Sequence, residues 1–395
     1  MQKALYKNKV YFFLNAKYGG VYSVVKNIIT YSQLQFDYQI IILVNKSITP
    51  DFISLDYLDK EKQHVFRYTH SDNFYTTCKR LARLVPDQKS VLVANDWIEL
   101  GMVSLLGMNN PVVQIVHGNY DYYFELAQKH IDSVNYFVAV SESIAESVKV
   151  NLGKKCSKVT HVPFPVNMGV IHQHAYKDLR ILFIAADLKC PNKNFQCIKE
   201  INVKLEENGI RAKWNVVGGG YAPEEIKQWW GNSHNELIYH GFLQGNDLAS
   251  VFNTSNVFLL PSEKEGLPVS LVEAMSNGLV PIINLWDKGV YSLVKSGVNG
   301  YVVEKNEVNQ YLKYLTYLNS QIQDIGDMGK KAFEAVADKF NPNIQAHQYE
   351  KIFSEVHGSF TSRNPLKVYG SRLDHPLIPN FITKNYREFA SRIHG

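Results

Sequence analysis

Short apolar runs alternate along this chain with loops and amphipathic segments, and this alternation restricts its fold more than any other feature. Each run has the length of a strand, and such an alternation is typical of βα units with a parallel sheet. The runs fall into two sets of five, at residues 10–14, 38–44, 90–94, 112–116 and 136–140, then at 180–185, 213–217, 237–239, 257–260 and 280–284. The pattern predicts an α/β protein with two Rossmann-like halves.

A segment with closely spaced prolines and a glycine separates the two sets. Its sequence, VPFPVNMG at 162–169, cannot continue a helix and favours extended chain, so we place a hinge at about 163–178. A length of 395 residues suits two domains. We predict an N-terminal domain at 1–165, a C-terminal domain at 178–360 and a helical stretch at 381–393 in the tail.

The composition excludes several classes of protein. Hydrophobic residues make up 45% and charged residues 20%, which is ordinary for globular proteins, and a net charge of +5 is too small for a nucleic-acid binder without a basic stripe. The four cysteines show neither a CxxC pair nor zinc-finger spacing. No apolar run is long enough to span a membrane, and the first residues lack a signal-peptide core. We expect a cytoplasmic protein with no nucleic-acid partner and no structural metal.

The last residues hold much of the positive charge. Residues 359–395 contain six cations and two anions, a local excess of +4. The simpler interpretation is the solvated face of a docked helix. The alternative is peripheral contact with an anionic surface such as the inner face of a membrane.

Residues 261–278 carry the most chemistry. They follow the run at 257–260, so they lie at the carboxyl end of a strand, where open α/β sheets bind ligands. Pro268 and Gly278 suit the start and the end of a helix. The amides of Gly266, Leu267 and Val269 then surround a helix N-terminus, which is a natural seat for a phosphate. Glu265 and Glu273 would repel a phosphate that they touched, so they make better acceptors for sugar hydroxyls.

The segment resembles the paired-glutamate motif of retaining glycosyltransferase family 4, whose members have the GT-B fold. Seven residues separate Glu265 from Glu273, and the similarity continues at 278–281 and 296–301. It implies two Rossmann-like domains facing a cleft, with a C-terminal helix at about 375–395 that crosses back to the first domain. It also implies that Glu265 contacts the donor sugar and Glu273 the ribose hydroxyls. One departure is Pro268, where many members have a glycine with an N–H.

The resemblance assigns a cation to the donor diphosphate. Lys193 matches the lysine that contacts the diphosphate in the family. The family's arginine six residues earlier is replaced by Asp187 here. Lys189 is a candidate for the missing second cation, although an exposed surface lysine is the simpler explanation of it.

Five further residues match family features. Gly19 and Gly20 lie in a glycine-rich turn after the first strand, and His117 ends another strand where members carry a histidine near the donor sugar. Gly218 belongs to a glycine turn near the nucleotide, and Phe242 lies in a segment that reads the base through backbone and shape. A dinucleotide fingerprint is excluded at Gly218, because proline occupies the third glycine position.

The resemblance implies transfer of a hexose from a nucleoside-diphosphate sugar to a hydroxyl, with retention and an α-linkage. The acceptor would be a glycan or a lipid-linked sugar, in assembly of a bacterial-type surface polysaccharide or glycoconjugate. The sequence contains no Asp-x-Asp, which agrees with a metal-independent enzyme that needs no cofactor beyond its donor substrate. Glu265, His117 and Lys193 are the predicted catalytic residues, and the base, uracil or guanine, stays open.

Three alternatives remain at this stage. A sugar-nucleotide epimerase and a phosphorylase with a lysine-bound pyridoxal cofactor share the two-domain plan. The third is a non-catalytic subunit that binds a sugar nucleotide, which Asp187 in place of arginine suggests.

Overall fold

A computed structural model describes residues 8–33, 36–49, 60–153, 158–171, 178–286, 292–305, 307–359, 361–366 and 370–394. The chain divides into two compact units. The first unit comprises residues 1–162 and 345–395, and the second comprises 163–344. No helix within the described ranges is long and apolar enough to cross a membrane.

The first unit contains a sheet of seven parallel strands in the order β3-β2-β1-β4-β5-β6-β7. Helices connect most of these strands. The elements are β1 (Lys9–Asn15), α1 (Gly20–Thr30), β2 (Asp37–Asn45), β3 (Gln63–Tyr68), α2 (Phe74–Ala82), β4 (Val91–Ala94), α3 (Trp97–Leu106), β5 (Val112–Val116), α4 (Asp121–Lys129), β6 (Tyr136–Ala139), α5 (Glu142–Leu152) and β7 (Val159–His161).

The second unit contains a sheet of six parallel strands in the order β10-β9-β8-β11-β12-β13. Its elements are β8 (Leu179–Asp187), α6 (Cys197–Glu207), β9 (Ala212–Gly219), α7 (Pro223–Trp230), β10 (Glu236–Tyr239), α8 (Gly245–Asn253), β11 (Val257–Leu260), α9 (Val269–Ser276), β12 (Val280–Asn284), β13 (Tyr301–Val303), α10 (Val308–Ser320) and α11 (Ile325–Ala337).

The last two helices, α12 (Pro342–Val356) and α13 (Asn380–His394), follow the second unit, and from Gln345 the chain belongs to the first unit. In α12, Phe353 is buried edge-on against Phe12 of β1, with ring centroids 5.9 Å apart. Glu350 of α12 is also buried and accepts hydrogen bonds from the Gln33 amide at 2.9 Å and the Tyr38 hydroxyl at 3.1 Å. The C-terminal chain thus completes the core of the first unit.

The predicted α/β architecture with two parallel sheets is confirmed. Three strands escaped the prediction, β3, β7 and β13, and all three are sheet edges. The unit division also differs in detail from the predicted domains, because residues 345–360 are grouped with the first unit and 163–177 with the second. Part of the predicted hinge, 172–177, lies outside the described residues.

Candidate functional site

Each sheet has one point at which the strand order reverses, between β1 and β4 in the first unit and between β8 and β11 in the second. Open parallel sheets bind ligands outside the carboxyl ends of the strands at such a switch point. The predicted catalytic residues lie at or near these ends. Glu265 follows β11, Lys193 follows β8, and His117 follows β5.

At the switch point of the second unit, a lysine and a glutamate form an ion pair. Lys193 Nζ lies 2.5 Å from Glu265 Oε1, and both side chains are largely buried. Lys193 is the last residue of a 3-10 turn, Pro191–Lys193, which directs the chain away from the sheet before α6 begins. Glu265 therefore neutralises Lys193 and also fixes where its ammonium group lies.

Asn192 joins the two loops that carry this pair. Its side-chain amide donates to the Lys264 carbonyl at 2.6 Å, and its own carbonyl accepts from the Glu263 amide at 2.9 Å. A backbone and a side-chain hydrogen bond thus connect segments about 72 residues apart. The sequence signal for Asn192 is only its place in the turn before Lys193, and the prediction missed it.

A buried polar network supports the loop after β11 from behind. Asn284, at the end of β12, donates to the Pro261 and Ser262 carbonyls at 2.8 and 3.1 Å. The Tyr311 hydroxyl of α10 in turn donates to Asn284 Oδ1 at 2.7 Å. A buried polar group that loses its partner lowers the free energy of unfolding. The network therefore holds the loop in one conformation. Neither Asn284 nor Tyr311 was predicted from the sequence.

The helix α9 begins directly beyond Glu265. Pro268 is its N-cap, with φ −69° and ψ 122°, one position before the helical place predicted for it. The first amides of a helix, here including that of Val269, have no intrahelical partner. The proline side chain at the N-cap cannot accept a hydrogen bond from them. Gly266 and Leu267 lie partly exposed in the preceding loop. This helix N-terminus carries the positive end of a helix dipole beside Lys193–Glu265.

Glu273 lies on α9, one turn beyond its start. Its carboxylate has no hydrogen-bond partner among the described residues, although the side chain is only partly exposed. Burial raises the pKa of Glu273 to about 7. An acceptor that is desolvated yet unpaired is suited to receive hydroxyl groups from a ligand.

The remaining predicted positions of the second unit have mixed surroundings. A Cβ on Gly218 would lie 2.1 Å from the Ala185 carbonyl oxygen, so this glycine allows β9 to approach β8 and has a packing role. Asp187 accepts a hydrogen bond from the Lys189 amide at 2.9 Å, and Lys189 Nζ lies over the Tyr221 ring, 4.8 Å from its centroid. Phe242 is partly exposed in the loop after β10.

At the switch point of the first unit, an aspartate joins two strand ends. Asp96, the N-cap of α3, accepts from Asn15 Nδ2 at 2.5 Å and from the Tyr122 hydroxyl. Glu99, the fourth residue of the same capping box, is buried, and its Oε1 accepts from the amides of Asn95 and Asp96 at 2.7 Å each. Burial, with the nearby charge of Asp96, raises the pKa of Glu99 to about 8. Asn15 and Tyr122 were not predicted as neighbours of Asp96.

His117 is held as a neutral ring. Its Nε2 lies 2.7 Å from Asn95 Oδ1, and burial lowers its pKa to about 4. The Asn95 amide nitrogen donates to the Phe13 carbonyl at 2.9 Å, so its oxygen must face the histidine. His117 therefore carries its proton on Nε2, and its Nδ1 is a hydrogen-bond acceptor.

Gly19 and Gly20 lie where β1 leads into α1. Gly19 has φ 155° and ψ −172°, a conformation nearly restricted to glycine, and Gly20 is the first residue of the helix. Apart from the glycine and its two chain neighbours, no atom of the described residues lies within 4 Å of the place that a Gly19 Cβ would take. The backbone conformation requires this glycine, and the space beside it is open.

Known proteins of similar sequence include a glycosyltransferase family and its members. Residues 171–334, all within the second unit, match the family model of glycosyl transferases group 1. The Escherichia coli K12 putative colanic acid biosynthesis glycosyltransferase WcaL is 26% identical over 151 residues, 36% of this chain and 37% of that one. An E. coli UDP-Gal:alpha-D-GlcNAc-diphosphoundecaprenol alpha-1,3-galactosyltransferase is 29% identical over 127 residues, 31% of this chain and 32% of that one. The chain therefore spans well under half the length of these relatives.

Solved structures extend the likeness to both units. Anabaena Alr3699/HepE in complex with UDP-glucose superposes with a TM-score of 0.68 at 13% identity, over 88% of this chain and 99% of that one. The fold is GT-B. At such low identity the likeness shows the fold alone, and the family match and the relatives support a glycosyltransferase.

Proposed function

We propose that this chain is a retaining glycosyltransferase of the cytoplasm, of the kind grouped as family 4. It would transfer a hexose from a nucleoside-diphosphate sugar to a hydroxyl of a glycan or lipid-linked acceptor and form an α-linkage. The observation that carries the proposal is the arrangement at the second switch point. Lys193, paired with Glu265, lies in a loop bonded to the one that leads into α9, and Glu273 of that helix has a carboxylate without a partner among the described residues.

The leaving diphosphate needs positive charge. Lys193 supplies an ammonium group, and the first amides of α9 supply hydrogen-bond donors at the positive end of the helix dipole. Preorganised groups of this kind stabilise charge that develops on a leaving group without reorganising during the reaction. We therefore propose that Lys193 and these amides act on the diphosphate and that no metal ion is required.

The two glutamates are proposed to bind hydroxyl groups. Glu273, with its unpaired carboxylate, would accept from the ribose hydroxyls of the nucleotide. Glu265 would keep Lys193 in place with one oxygen and accept from the donor sugar with its remaining lone pairs. Phe242 and Gly218 would lie near the base and the nucleotide.

The proposed reaction is a substitution on one face of the sugar. The bond from C1 to the diphosphate oxygen breaks as the bond from C1 to the acceptor oxygen forms on the same face. The acceptor's proton passes to the departing phosphate oxygen, so no protein base is needed. The anomeric configuration is thereby retained.

Residues of the first unit are proposed to bind sugar hydroxyls. Neutral His117 offers Nδ1 as an acceptor, and an acceptor on a neutral ring suits a hydroxyl donor better than a phosphate. The open backbone at Gly19 and Gly20 would allow close approach of a ligand. A relative's name specifies a UDP-sugar donor and a lipid diphosphate acceptor, and another's specifies colanic acid synthesis. These names favour UDP as the nucleotide and a surface polysaccharide or glycoconjugate as the product.

The test is a screen of the purified chain against UDP- and GDP-sugars, with chelator present, by thermal shift and by release of nucleoside diphosphate. We expect one UDP-sugar to raise the melting temperature and to be slowly hydrolysed. Glu273→Gln should weaken binding, and Glu263→Gln, an exposed neighbour in the same loop paired with Lys305, should not. With an acceptor in hand, the anomeric configuration of the product by NMR tests retention.

The alternatives give distinct results in this screen. Tight donor binding without hydrolysis or transfer would indicate a non-catalytic subunit, which Asp187 in place of arginine favours. Isomerised donor would indicate an epimerase. Phosphate-dependent cleavage with visible absorption by the protein would indicate a phosphorylase.

A further inference from the structure

The C-terminal helix α13 packs on the first unit with its polar face inward. Asn380 Nδ2 donates to Asp72 Oδ1 at 3.2 Å, and Arg387 donates to the Asp72 carbonyl at 2.8 Å and to Asp374 Oδ2 at 2.9 Å. Thr383, between them, is fully buried. At 100° per residue these three side chains share one narrow face of the helix. Hydrogen bonds and an ion pair therefore hold α13 in place.

The opposite face of α13 is apolar and exposed. Its large side chains, together with Leu377 just before the helix, are each between 47% and 84% exposed. On the helix they fall within an arc of about 140°. We call this set the α13 apolar face: Leu377, Phe381, Ile382, Tyr386, Phe389 and Ile393.

This arrangement reverses the usual one. An amphipathic helix on a globular protein normally turns its apolar stripe to the core and its charges to water. Contiguous exposed apolar patches on soluble proteins mark interaction sites. The charges of the tail thus serve partly to anchor the helix, and its apolar side chains are left for another surface.

Exposed cations accompany the α13 apolar face. Arg392 lies at its margin next to Glu388, which is paired with Lys384 at 3.8 Å. Arg372 is exposed in the turn before the helix, and Lys79 and Arg83 are exposed on or just after α2. The residue that caps α2, Asn73, also donates to the loop before α13. Large apolar side chains with basic neighbours are typical of helices that lie in the headgroup region of anionic membranes.

We propose that the α13 apolar face docks on an anionic lipid bilayer, with α13 lying in the plane of the interface. A symmetric dimer through the same face would place each cationic margin near its copy, whereas an anionic surface complements it. The proposal is independent of the proposed transferase activity, because no residue of the face belongs to either switch point.

The experiment is co-sedimentation of the full chain with vesicles of phosphatidylcholine alone or with about one third phosphatidylglycerol. We expect binding to the anionic vesicles that weakens as salt is raised. The double substitution Phe389→Asp and Ile393→Asp should lower the partition coefficient at least about tenfold. The control is Val150→Asp with Val203→Asp, which adds the same charge at exposed apolar positions on α5 and α6 and should leave binding nearly unchanged.

Thermal unfolding keeps the comparison valid, because the substituted side chains are exposed and should leave the melting temperature unchanged. If the double variant does not fold, the single substitution Phe389→Ser replaces it, with about a threefold loss expected. Absence of vesicle binding would overturn the proposal, as would equal binding by the α13 variant and the control. A dimer in solution that the same substitutions dissociate, without vesicle binding, would show a second copy to be the occupant.

Discussion

At the switch point of the second unit, a lysine and two glutamates lie near a helix N-terminus. At the corresponding point of the first unit, Asn15 and Tyr122 donate to Asp96, and the His117 ring bonds to the neighbouring Asn95 side chain. Both places arise from the same reversal of strand order. The groups that follow the strands therefore differ although the topology does not.

The difference concerns which groups are left for a ligand. In the second unit, Glu273 keeps an unpaired carboxylate and α9 keeps uncapped amides, which suit a ligand with hydroxyls and negative charge. In the first unit, burial lowers the pKa of His117 to about 4 and raises the pKa of Glu99 to about 8, so neither residue offers a positive charge to a ligand. We infer that the diphosphate and the ribose belong to the second unit, and that the neutral groups of the first unit suit further sugar hydroxyls.

The largest effect on activity is expected from removing Lys193, the cation proposed to act on the diphosphate in the second unit. Lys193→Ala should lower kcat by about a hundredfold to a thousandfold, because a preorganised donor to a developing anion is lost. Steady-state kinetics with the UDP-sugar from the screen measures the change. The matched control, Lys264→Ala, removes an exposed lysine next to Glu265 and should leave kcat within about twofold. Equal rates for the two variants would contradict the assignment of the diphosphate to the second unit.

Replacing Glu273 tests the unpaired carboxylate. Glu273→Gln should weaken donor binding about tenfold to a hundredfold, since hydrogen bonds to a charged acceptor are lost. With a pKa of about 7, the wild-type carboxylate ionises as pH rises from 6 to 8, so its donor affinity should increase over that range. Calorimetric titration at several pH values should give a flat profile for the variant. A wild-type profile that falls with pH would exclude the carboxylate as the acceptor.

Asn284 tests whether the second site depends on its buried support. Asn284→Ala leaves the Tyr311 hydroxyl and two carbonyls without their partner, so the free energy of unfolding should fall by about 2 kcal/mol. Tyr311→Phe removes only one donor and should cost about 1 kcal/mol. Urea unfolding measures both, with the exposed Asn253→Ala as control. Equal stability of Asn284→Ala and the control would show that the network adds nothing.

Glu99 in the first unit should make the stability of the protein depend on pH. Its folded-state pKa of about 8 lies above the ordinary value of 4.5, so the protein loses stability as pH rises from about 4.5 through 8. Glu99→Gln should remove this loss. Its stability relative to the wild type should therefore be higher at pH 9 than at pH 5. Melting temperatures across that range measure it, and Glu125→Gln, exposed on α4, should keep the wild-type slope. If the melting temperature of Glu99→Gln changed with pH as steeply as that of the wild type, another group would be responsible for the pH dependence.

The apolar runs predicted all the central strands and one edge strand, β10. The edge strands β3, β7 and β13 were missed, because β7 and β13 are only three residues long and β3 has no continuous apolar run. In β3, exposed and buried positions alternate from Val65 to Tyr68. Periodicity also predicted α13 as a helix but not which face it buries. Arg387 faces inward because the Asp72 carbonyl and Asp374 accept its hydrogen bonds, and Thr383 because it donates to the Leu373 carbonyl.

The site was predicted residue by residue but not as an arrangement. Glu265 and Lys193 each followed a strand end, yet their contact depends on β8 and β11 being neighbours, which is a property of the sheet. Asn192, Asn284 and Tyr311 carry no local signal, because their roles arise from carbonyl groups distant in sequence. Propensity and spacing cannot report such partners.

The position of α12 has a consequence for how the chain folds during synthesis. The second unit is contiguous, from 163 to 344, whereas the first unit needs Glu350 and Phe353 to fill its core. While the ribosome is still making the middle of the chain, the first 162 residues lack this helix and leave apolar surface near Phe12 uncovered. The second unit is synthesised later but can therefore finish folding first. The first unit can complete its core only after the last part of the chain has been made.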